Sequence, residues 1–358
     1  MLKLDFHPTG KHFLQIPGPS PVPDRILRAM SLPTIDHRGP EFGVLGNKVL
    51  TGMQAIFKTR HPVIIYPASG TGAWEAAMCN TLSPGDAVLM YETGHFAALW
   101  VKLAKRLGLA PEVVGWSGAD ELMPHAPGWG RGVQADLIEQ RLRKDTEHRL
   151  KAVCVVHNET STGVTSDIAA VRKAIDAARH PALLMVDTIS GIASVDYRHD
   201  EWGIDVGIGS SQKGLMLPPG ISFNAISPRA IEAMKTARLP RSFWSWDEML
   251  EFNKDGYFPY TPSTNVLYGL AGEGGRGSRP EVRGRGRTHG RAPVDGNPER
   301  VHDVTVRDHI LPRQPPGKHD LYVRVSRSIQ LPPDLLENCP HVPPPGPRGI
   351  QPHPLRPG

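Results

Sequence analysis

Short apolar runs alternate with stretches of helical periodicity along the first 270 residues. Each run has the length of a buried strand and is bounded by turn residues such as Gly, Pro and Asp. The runs that predict strands lie at 63–66, 87–91, 151–158, 182–186, 204–208 and 221–226. Helical patterns begin near Asp24 and at positions 73, 97, 169 and 231. This alternation is typical of a mostly parallel sheet covered by helices, and it predicts an α/β fold.

Local composition divides the chain into three segments. Residues 1–23 include a proline-rich stretch that cannot form a helix, which predicts an extended arm across the surface. Residues 24–270 carry the alternating pattern and predict the large domain, with a Gly- and Pro-rich loop at 117–134. Residues 271–358 hold 16 of the 36 prolines and 13 of the 28 arginines, a composition that predicts a disordered tail.

The net charge of +5 comes from the tail alone. Residues 1–270 contain 27 basic and 27 acidic side chains, whereas residues 271–358 contain 14 and 9. The large domain therefore gives no reason to expect a nucleic-acid partner. The first residues lack the apolar stretch of a signal peptide, and no segment approaches the roughly 20 apolar residues of a membrane span. We therefore expect a cytoplasmic protein without membrane contact.

Candidate chemistry lies at the ends of two predicted strands. Lys213 belongs to the small polar loop 209–214, whose glycines and serines leave room for a planar cofactor. Partial desolvation would make this amine a nucleophile, although a solvated surface lysine is the ordinary interpretation. Asp187 ends another apolar run, where a carboxylate can pair with the protonated ring nitrogen of pyridoxal phosphate. Together the two residues favour a lysine that forms a Schiff base with this cofactor.

Two further segments are suited to hold such a cofactor. The turn at 68–72 is rich in small residues and opens a helix, whose free N–H groups and positive dipole end suit a phosphate. An ordinary strand-to-helix turn is the competing interpretation. Thr160 follows a predicted strand, and its hydroxyl either meets the cofactor or substrate or serves as a cap. His157 is expected to be structural, because Lys213 is available to move protons.

Four motifs resemble the class V aminotransferases, with the nearest likeness to the serine–glyoxylate and alanine–glyoxylate enzymes. They are Val-Asp at 186–187, Ser-Gln-Lys at 211–213, His-Asn-Glu-Thr-Ser-Thr-Gly-Val at 157–164 and Thr-Pro-Ser-Thr-Asn-Val-Leu-Tyr-Gly-Leu at 261–270. The resemblance runs from about Lys11 to Leu270. It implies a fold type I three-layer α/β/α sandwich, pyridoxal 5'-phosphate as cofactor and a homodimer. The implied reaction transfers the amino group of serine, or as second choice alanine, to glyoxylate.

The resemblance also implies roles for single residues. Phe96 would stack on the cofactor ring, although a packing role is equally open from the sequence. Arg38 and Thr160 would contact the substrate, with Arg38 reaching the neighbouring subunit, and Thr261 would reach the neighbour's cofactor phosphate. No metal is expected. The expected catalytic residues are Lys213 and Asp187, and the expected cofactor-binding residues are Ser69, Gly70, Thr71, Gly72, Phe96, Thr160, Asp187, Gln212, Lys213 and Thr261.

Two other classes of protein stay open. A cysteine desulfurase of the same fold needs a nucleophilic cysteine on a mobile loop, and none of Cys79, Cys154 and Cys339 has that setting. The same cysteines have no spacing typical of a disulfide framework or a zinc site. A protein that keeps the pocket without turnover would bind the cofactor and not transaminate.

The resemblance ends abruptly at Leu270. The family continues into a small C-terminal domain that supplies an arginine for the substrate carboxylate, and residues 271–358 contain no identifiable counterpart. A change of reading frame in GC-rich DNA produces such Gly-, Arg- and Pro-rich text, and we favour it over an RNA-binding segment. The expected consequence is a missing small domain and impaired cofactor binding or activity. Translation of the coding sequence in its other two frames tests this expectation.

Overall fold

The computed structural model describes Leu14 and residues 16–115 and 130–274. Expectations for the remaining residues, which include most of the tail and of the loop 117–134, lie outside this part of the chain. Within it the helices are α1 (Asp24–Met30), α2 (Pro40–Phe57), α3 (Gly70–Thr81), α4 (His95–Arg106), α5 (Ala135–Lys144), α6 (Ile168–Ala177), α7 (Pro228–Met234), α8 (Trp246–Asn253) and α9 (Thr264–Gly274). The strands are β1 (Val63–Tyr66), β2 (Ala87–Glu92), β3 (Ala110–Gly115), β4 (Leu150–Val156), β5 (Asn158–Glu159), β6 (Val164–Thr165), β7 (Leu183–Asp187), β8 (Val206–Ser210) and β9 (Ser222–Ile226).

Seven strands form one sheet in the order β1-β9-β8-β7-β4-β2-β3. The five strands from β8 to β3 are parallel, whereas β9 runs antiparallel to both β8 and β1. Every residue of β1, β2, β7, β8 and β9 is buried. Because successive side chains of a strand point to opposite faces, both faces of the sheet must be covered by other elements. The expected mostly parallel, three-layer α/β fold is confirmed.

Two helices begin after a residue whose side chain caps them. Asp167 accepts a hydrogen bond from the Ala170 N–H and caps α6, which begins at Ile168, one residue before the predicted position. The helix predicted from position 231 begins earlier, at Pro228, because Ser227 caps it and proline is favoured at the first helical position. The last described helix, α9, continues past Leu270 to Gly274.

The carboxyl ends of the parallel strands place the polar residues of interest along one edge of the sheet. Asp187 is the last residue of β7, Val156 ends β4, and Lys213 follows shortly after β8. In open α/β sheets this edge is where ligands bind. No helix in the described ranges has the length and apolar character needed to cross a bilayer.

Candidate active site

A cavity of about 240 Å³ opens at this edge of the sheet. Its lining includes eight of the predicted site residues, namely Ser69, Gly70, Thr71, Phe96, Thr160, Asp187, Gln212 and Lys213. Six further residues, which the sequence reasoning did not assign to a site, complete it: Gly18, Trp74, Val156, Asn158, Ile189 and Ser190. The cavity therefore combines one amine, one carboxylate, a helix N-terminus and two aromatic side chains.

The Lys213 side chain is partly buried in this cavity. Its Nζ donates a hydrogen bond of 2.8 Å to the carbonyl oxygen of Pro17. Desolvation lowers the pKa of Lys213, and the charge of Asp187 opposes that shift. The direction favours the neutral amine, which is the nucleophilic form.

The N-terminal arm holds the backbone of the lysine loop. Ser20 N donates to the Gln212 carbonyl over 2.9 Å, and Ser20 Oγ donates to the Lys213 carbonyl over 2.9 Å. Gly18 lies against the lysine at a φ of +128°, and a Cβ added there would be 2.6 Å from Lys213 Cδ. Only glycine suits both this backbone conformation and this close approach. An extended arm was expected, whereas its contact with Lys213 was not.

Asp187 is buried and receives two hydrogen bonds. Ile189 N donates to Oδ1 over 2.7 Å, and Trp74 Nε1 donates to Oδ2 over 3.0 Å. Burial nevertheless raises the pKa of Asp187 to about 7, with a further contribution from the charge of Glu159. The two hydrogen bonds and Lys213 act in the opposite direction. A buried carboxylate in this state lacks a close cationic partner, and a protonated ring nitrogen would supply one.

The N-terminus of α3 forms another wall of the cavity. Its N-cap, Ser69, makes no side-chain capping bond, and its first turn contains no acidic residue. The N–H groups of a first helical turn have no partner within the helix, and the helix dipole favours an anion there. Gly72 is outside the lining, and its N–H donates to the Ser69 carbonyl over 3.0 Å. Of the first turn of α3, Gly70 and Thr71 are therefore the residues that line the cavity.

Phe96 and Thr160 come from different elements and line the same cavity. Phe96 is the second residue of α4, and Thr160 follows β5. Next to them, Asn158 Nδ2 donates to Ser190 Oγ over 2.9 Å, and Ser190 Oγ donates to the Asn158 carbonyl over 2.6 Å. These two hydrogen bonds join β5 to the segment that follows Asp187.

Besides Gly72, two predicted site residues lie outside this cavity. Arg38 lines a separate cavity of about 530 Å³ together with Glu251 and Tyr257. Thr261 is exposed and belongs to neither lining. Within one chain, the structure does not bring these two residues to Lys213.

His157 and two cysteines are buried outside the lining. Burial lowers the pKa of His157 to about 4, and its Nδ1 lies 3.2 Å from Thr188 Oγ1. Burial raises the pKa of Cys79 to about 11, with Glu75 adding to the shift, and burial also raises the pKa of Cys154. High pKa values keep these thiols from acting as nucleophiles at neutral pH. In the described residues no group of His, Cys, Asp and Glu side chains could hold a metal ion.

The chain is similar in sequence to known aminotransferases. The sequence model of the family described as Aminotransferase class-V matches residues 13–240. An L-aspartate–glyoxylate aminotransferase of Paracoccus denitrificans is 46% identical over 264 residues, which cover 73% of this chain and 64% of that protein. A serine–glyoxylate aminotransferase of Arabidopsis thaliana is 43% identical over 263 residues, which cover 73% and 63%.

A solved structure has the same architecture. The alanine–glyoxylate aminotransferase from Nostoc sp. aligns with a TM-score of 0.66 at 27% identity, over 76% of this chain and 69% of that chain. The chain spans less than two thirds of the length of the two curated relatives above.

Proposed function

This chain belongs to the class-V aminotransferase family, and from that membership we propose that it transfers the amino group of an amino acid to glyoxylate. The products are glycine and a keto acid. Serine is the first choice of donor and alanine the second, and the Paracoccus relative adds aspartate as a candidate. Lys213 is proposed to carry the family's cofactor, pyridoxal phosphate.

One observation carries this proposal. The Lys213 amine, the Asp187 carboxylate and the N-terminus of α3 line a single cavity, although they are far apart in the sequence. Each matches one part of the cofactor, namely the aldehyde, the ring nitrogen and the phosphate. The uncapped start of α3 and the buried Asp187 with its raised pKa both fit a ligand that brings an anion and a cation to these places.

When bound, the cofactor supplies an electron sink for the bond that breaks at the substrate Cα. The residues of the chain do the rest. Asp187 would hold a proton on the ring nitrogen, and Phe96 would lie against the ring. Lys213 Nζ, once the substrate amine has displaced it, would be the group that moves the proton leaving the substrate Cα, and its hydrogen bond to the Pro17 carbonyl would orient it.

The roles of the remaining lining residues follow from their positions. Gly70 and Thr71 bind the phosphate, with Ser69 beside them, and Thr160 donates its hydroxyl to the cofactor or the substrate. Gln212 fixes the lysine loop, because its carbonyl accepts from Ser20 and its side chain bonds to Ser210. We propose residues 24–270 as the domain that holds this site and residues 1–23 as an N-terminal arm, of which Gly18 lines the cavity.

A homodimer is part of the proposal. Arg38 and Thr261 lie outside the cavity of their own chain, as residues that serve a neighbour's site should. Mixing the variants Arg38→Ala and Lys213→Ala tests this arrangement. Random exchange of subunits in a dimer should restore about one quarter of the activity, because half of the dimers regain one intact site. No recovery after proven exchange would mean that Arg38 serves its own subunit, and full activity of Arg38→Ala by itself would mean that it serves no site.

A donor panel tests the proposed reaction. Serine, alanine, aspartate and cysteine are each supplied with glyoxylate, and glycine, keto acid and sulfide are measured. The proposal expects glycine in stoichiometric amounts with a keto acid. Sulfide from cysteine would instead indicate a desulfurase, and cofactor absorbance without any turnover would indicate a binding protein.

A further inference from the structure

Glu159 is completely buried beside the cavity and receives four hydrogen bonds. Oε2 accepts from Ala97 N over 3.1 Å, and Oε1 accepts from Phe96 N over 3.4 Å. Oε1 also accepts from Ser161 N over 3.0 Å and from Ser161 Oγ over 2.7 Å. The carboxylate therefore bonds both to the first turn of α4 and to the turn that follows β5.

Ser161 makes the same connection in the other direction. Its Oγ accepts a hydrogen bond of 2.9 Å from His95 N while donating to Glu159. Gly94, the N-cap of α4, lets the two segments approach, since a Cβ there would lie 2.7 Å from Glu159 Cγ. No side chain larger than that of glycine fits without moving this pair.

These hydrogen bonds involve Phe96 and the two neighbours of Thr160, and both Phe96 and Thr160 line the cavity. On α4, the bonds reach His95, Phe96 and Ala97, and Phe96 lines the cavity. On the other segment they involve Glu159 and Ser161, and Thr160 between them also lines the cavity. A change in this network must therefore alter the separation of Phe96 and Thr160.

We propose that Glu159 is a positioning residue. Its carboxylate holds two walls of the cavity, one at Phe96 on α4 and one at Thr160 after β5, at the separation that the cofactor ring requires. This inference rests on the proposed function, because it takes the cofactor as the ligand. Hydrogen bonds to a charged acceptor are about twice as strong as neutral ones, and the start of a helix favours a negative group. The carboxylate suits this task better than an amide, which can accept at only one of its two terminal atoms.

The charge of Glu159 has a second effect on the site. It raises the pKa of Asp187 in addition to the larger effect of burial. Trp74, Ile189 N and the charge of Lys213 lower that pKa. Removal of the Glu159 charge should therefore shift the titration of Asp187 to lower pH, which a purely structural role would not do.

Three variants of the full chain test the inference. Ser161→Ala removes one donor to Glu159 and the acceptor of His95 N and keeps the charge, whereas Glu159→Gln keeps the size and removes the charge. Asp167→Asn is the control, because Asp167 caps α6 with a single exposed bond of 2.9 Å to Ala170 N and lies outside the cavity lining. Two properties are measured: hydrogen exchange of the cofactor-free protein, and the dissociation constant of pyridoxal phosphate as a function of pH.

Ser161→Ala should raise hydrogen exchange in the segments 94–98 and 158–162 together and weaken cofactor binding about tenfold. Glu159→Gln should weaken it further and move the midpoint of its pH dependence downward, while Asp167→Asn changes neither. If Glu159→Gln does not fold, Ser161→Ala alone decides the matter. Unchanged hydrogen exchange of Ser161→Ala in either segment would overturn the inference. So would a Glu159→Gln variant whose cofactor affinity and pH midpoint equal those of the wild type. Failure of the wild type to bind cofactor would instead refute the proposed function, and the exchange data would still decide whether the two walls are tied.

Discussion

The indole N–H of Trp74 donates a hydrogen bond of 3.0 Å to Oδ2 of Asp187. The same indole stacks on Trp100, with ring centroids 5.7 Å apart and planes 11° apart. The two tryptophans differ in their hydrogen bonding, because Trp100 Nε1 is buried without a hydrogen-bond partner. A comparison of variants at the two positions therefore separates the effect of indole packing from the effect of the hydrogen bond to Asp187.

Trp74→Phe should remove the hydrogen bond and retain most of the stacking. The pKa of Asp187 should rise, because this bond lowers it, and cofactor affinity at pH 7 should fall about tenfold. Trp100→Phe is the matched control and should bind cofactor like the wild type. Equal affinities of the two variants, measured by titration of cofactor absorbance, would show that Trp74 serves packing only.

Asp187→Asn should retain some cofactor binding and slow transamination on the order of 10²-fold or more, since an amide does not hold the ring nitrogen protonated. In the wild type, Asp187 becomes protonated as the pH falls through about 7 and then cannot accept the ring N–H. Cofactor affinity of the wild type should thus decrease below that pH, and the variant should lose this dependence. Parallel pH profiles of the two proteins would assign the titration to another group.

The raised pKa of Asp187 also predicts how pH affects the stability of the cofactor-free protein. An acid whose pKa is about 7 in the folded state, against 3.8 for an unperturbed aspartate, binds its proton more tightly in the folded state. Its contribution to the free energy of unfolding is complete below pH 3.8 and is lost as the pH rises to about 7. Saturating cofactor should remove this loss. Denaturant unfolding at pH 5 and pH 8, with and without cofactor, measures the difference, and an unchanged difference would contradict the pairing.

Gly18→Ala should block the approach of the arm to Lys213. The new Cβ would lie 2.6 Å from Cδ and 2.8 Å from Nζ of that lysine, so cofactor incorporation should fall at least about tenfold. Gly108→Ala is the control, because Gly108 also has a positive φ, +77°, and has no atom within 4 Å of an added Cβ. It should cost about 1 kcal/mol of stability and leave incorporation unchanged. Normal incorporation in Gly18→Ala would show that the arm is no part of the site.

The sequence predicted six of the seven strands of the sheet, because those strands are mostly buried on both faces, and it missed β3, whose residues are exposed or half-buried. Buried strands, as in β7 and β8, appear as continuous apolar runs, and the polar residue that ends each run is conspicuous. Asp187 was identified in this way, Lys213 from the polar loop that follows β8, and Thr160 from its place after a predicted strand. Phe96 came from the resemblance, and the structure brings it and Thr160 to the same cavity.

Other parts of the site left no comparable signal. The Pro17 carbonyl lies 196 positions from Lys213, and a backbone acceptor has no side chain that a sequence pattern could reveal. Trp74 has the appearance of a core residue on α3, and Glu159 that of a polar turn residue. Their roles depend on which elements the fold places side by side, and this long-range information is absent from local periodicity.

Reductive labelling is the most direct test of whether Lys213 carries the cofactor. The full chain is incubated with pyridoxal phosphate, treated with borohydride to make the lysine–cofactor bond permanent, and digested for peptide mapping. We expect the phosphopyridoxyl group on Lys213. In Lys213→Ala, no peptide of this region should carry the label. A label on another lysine, or a labelled peptide of this region that persists in Lys213→Ala, would contradict this assignment.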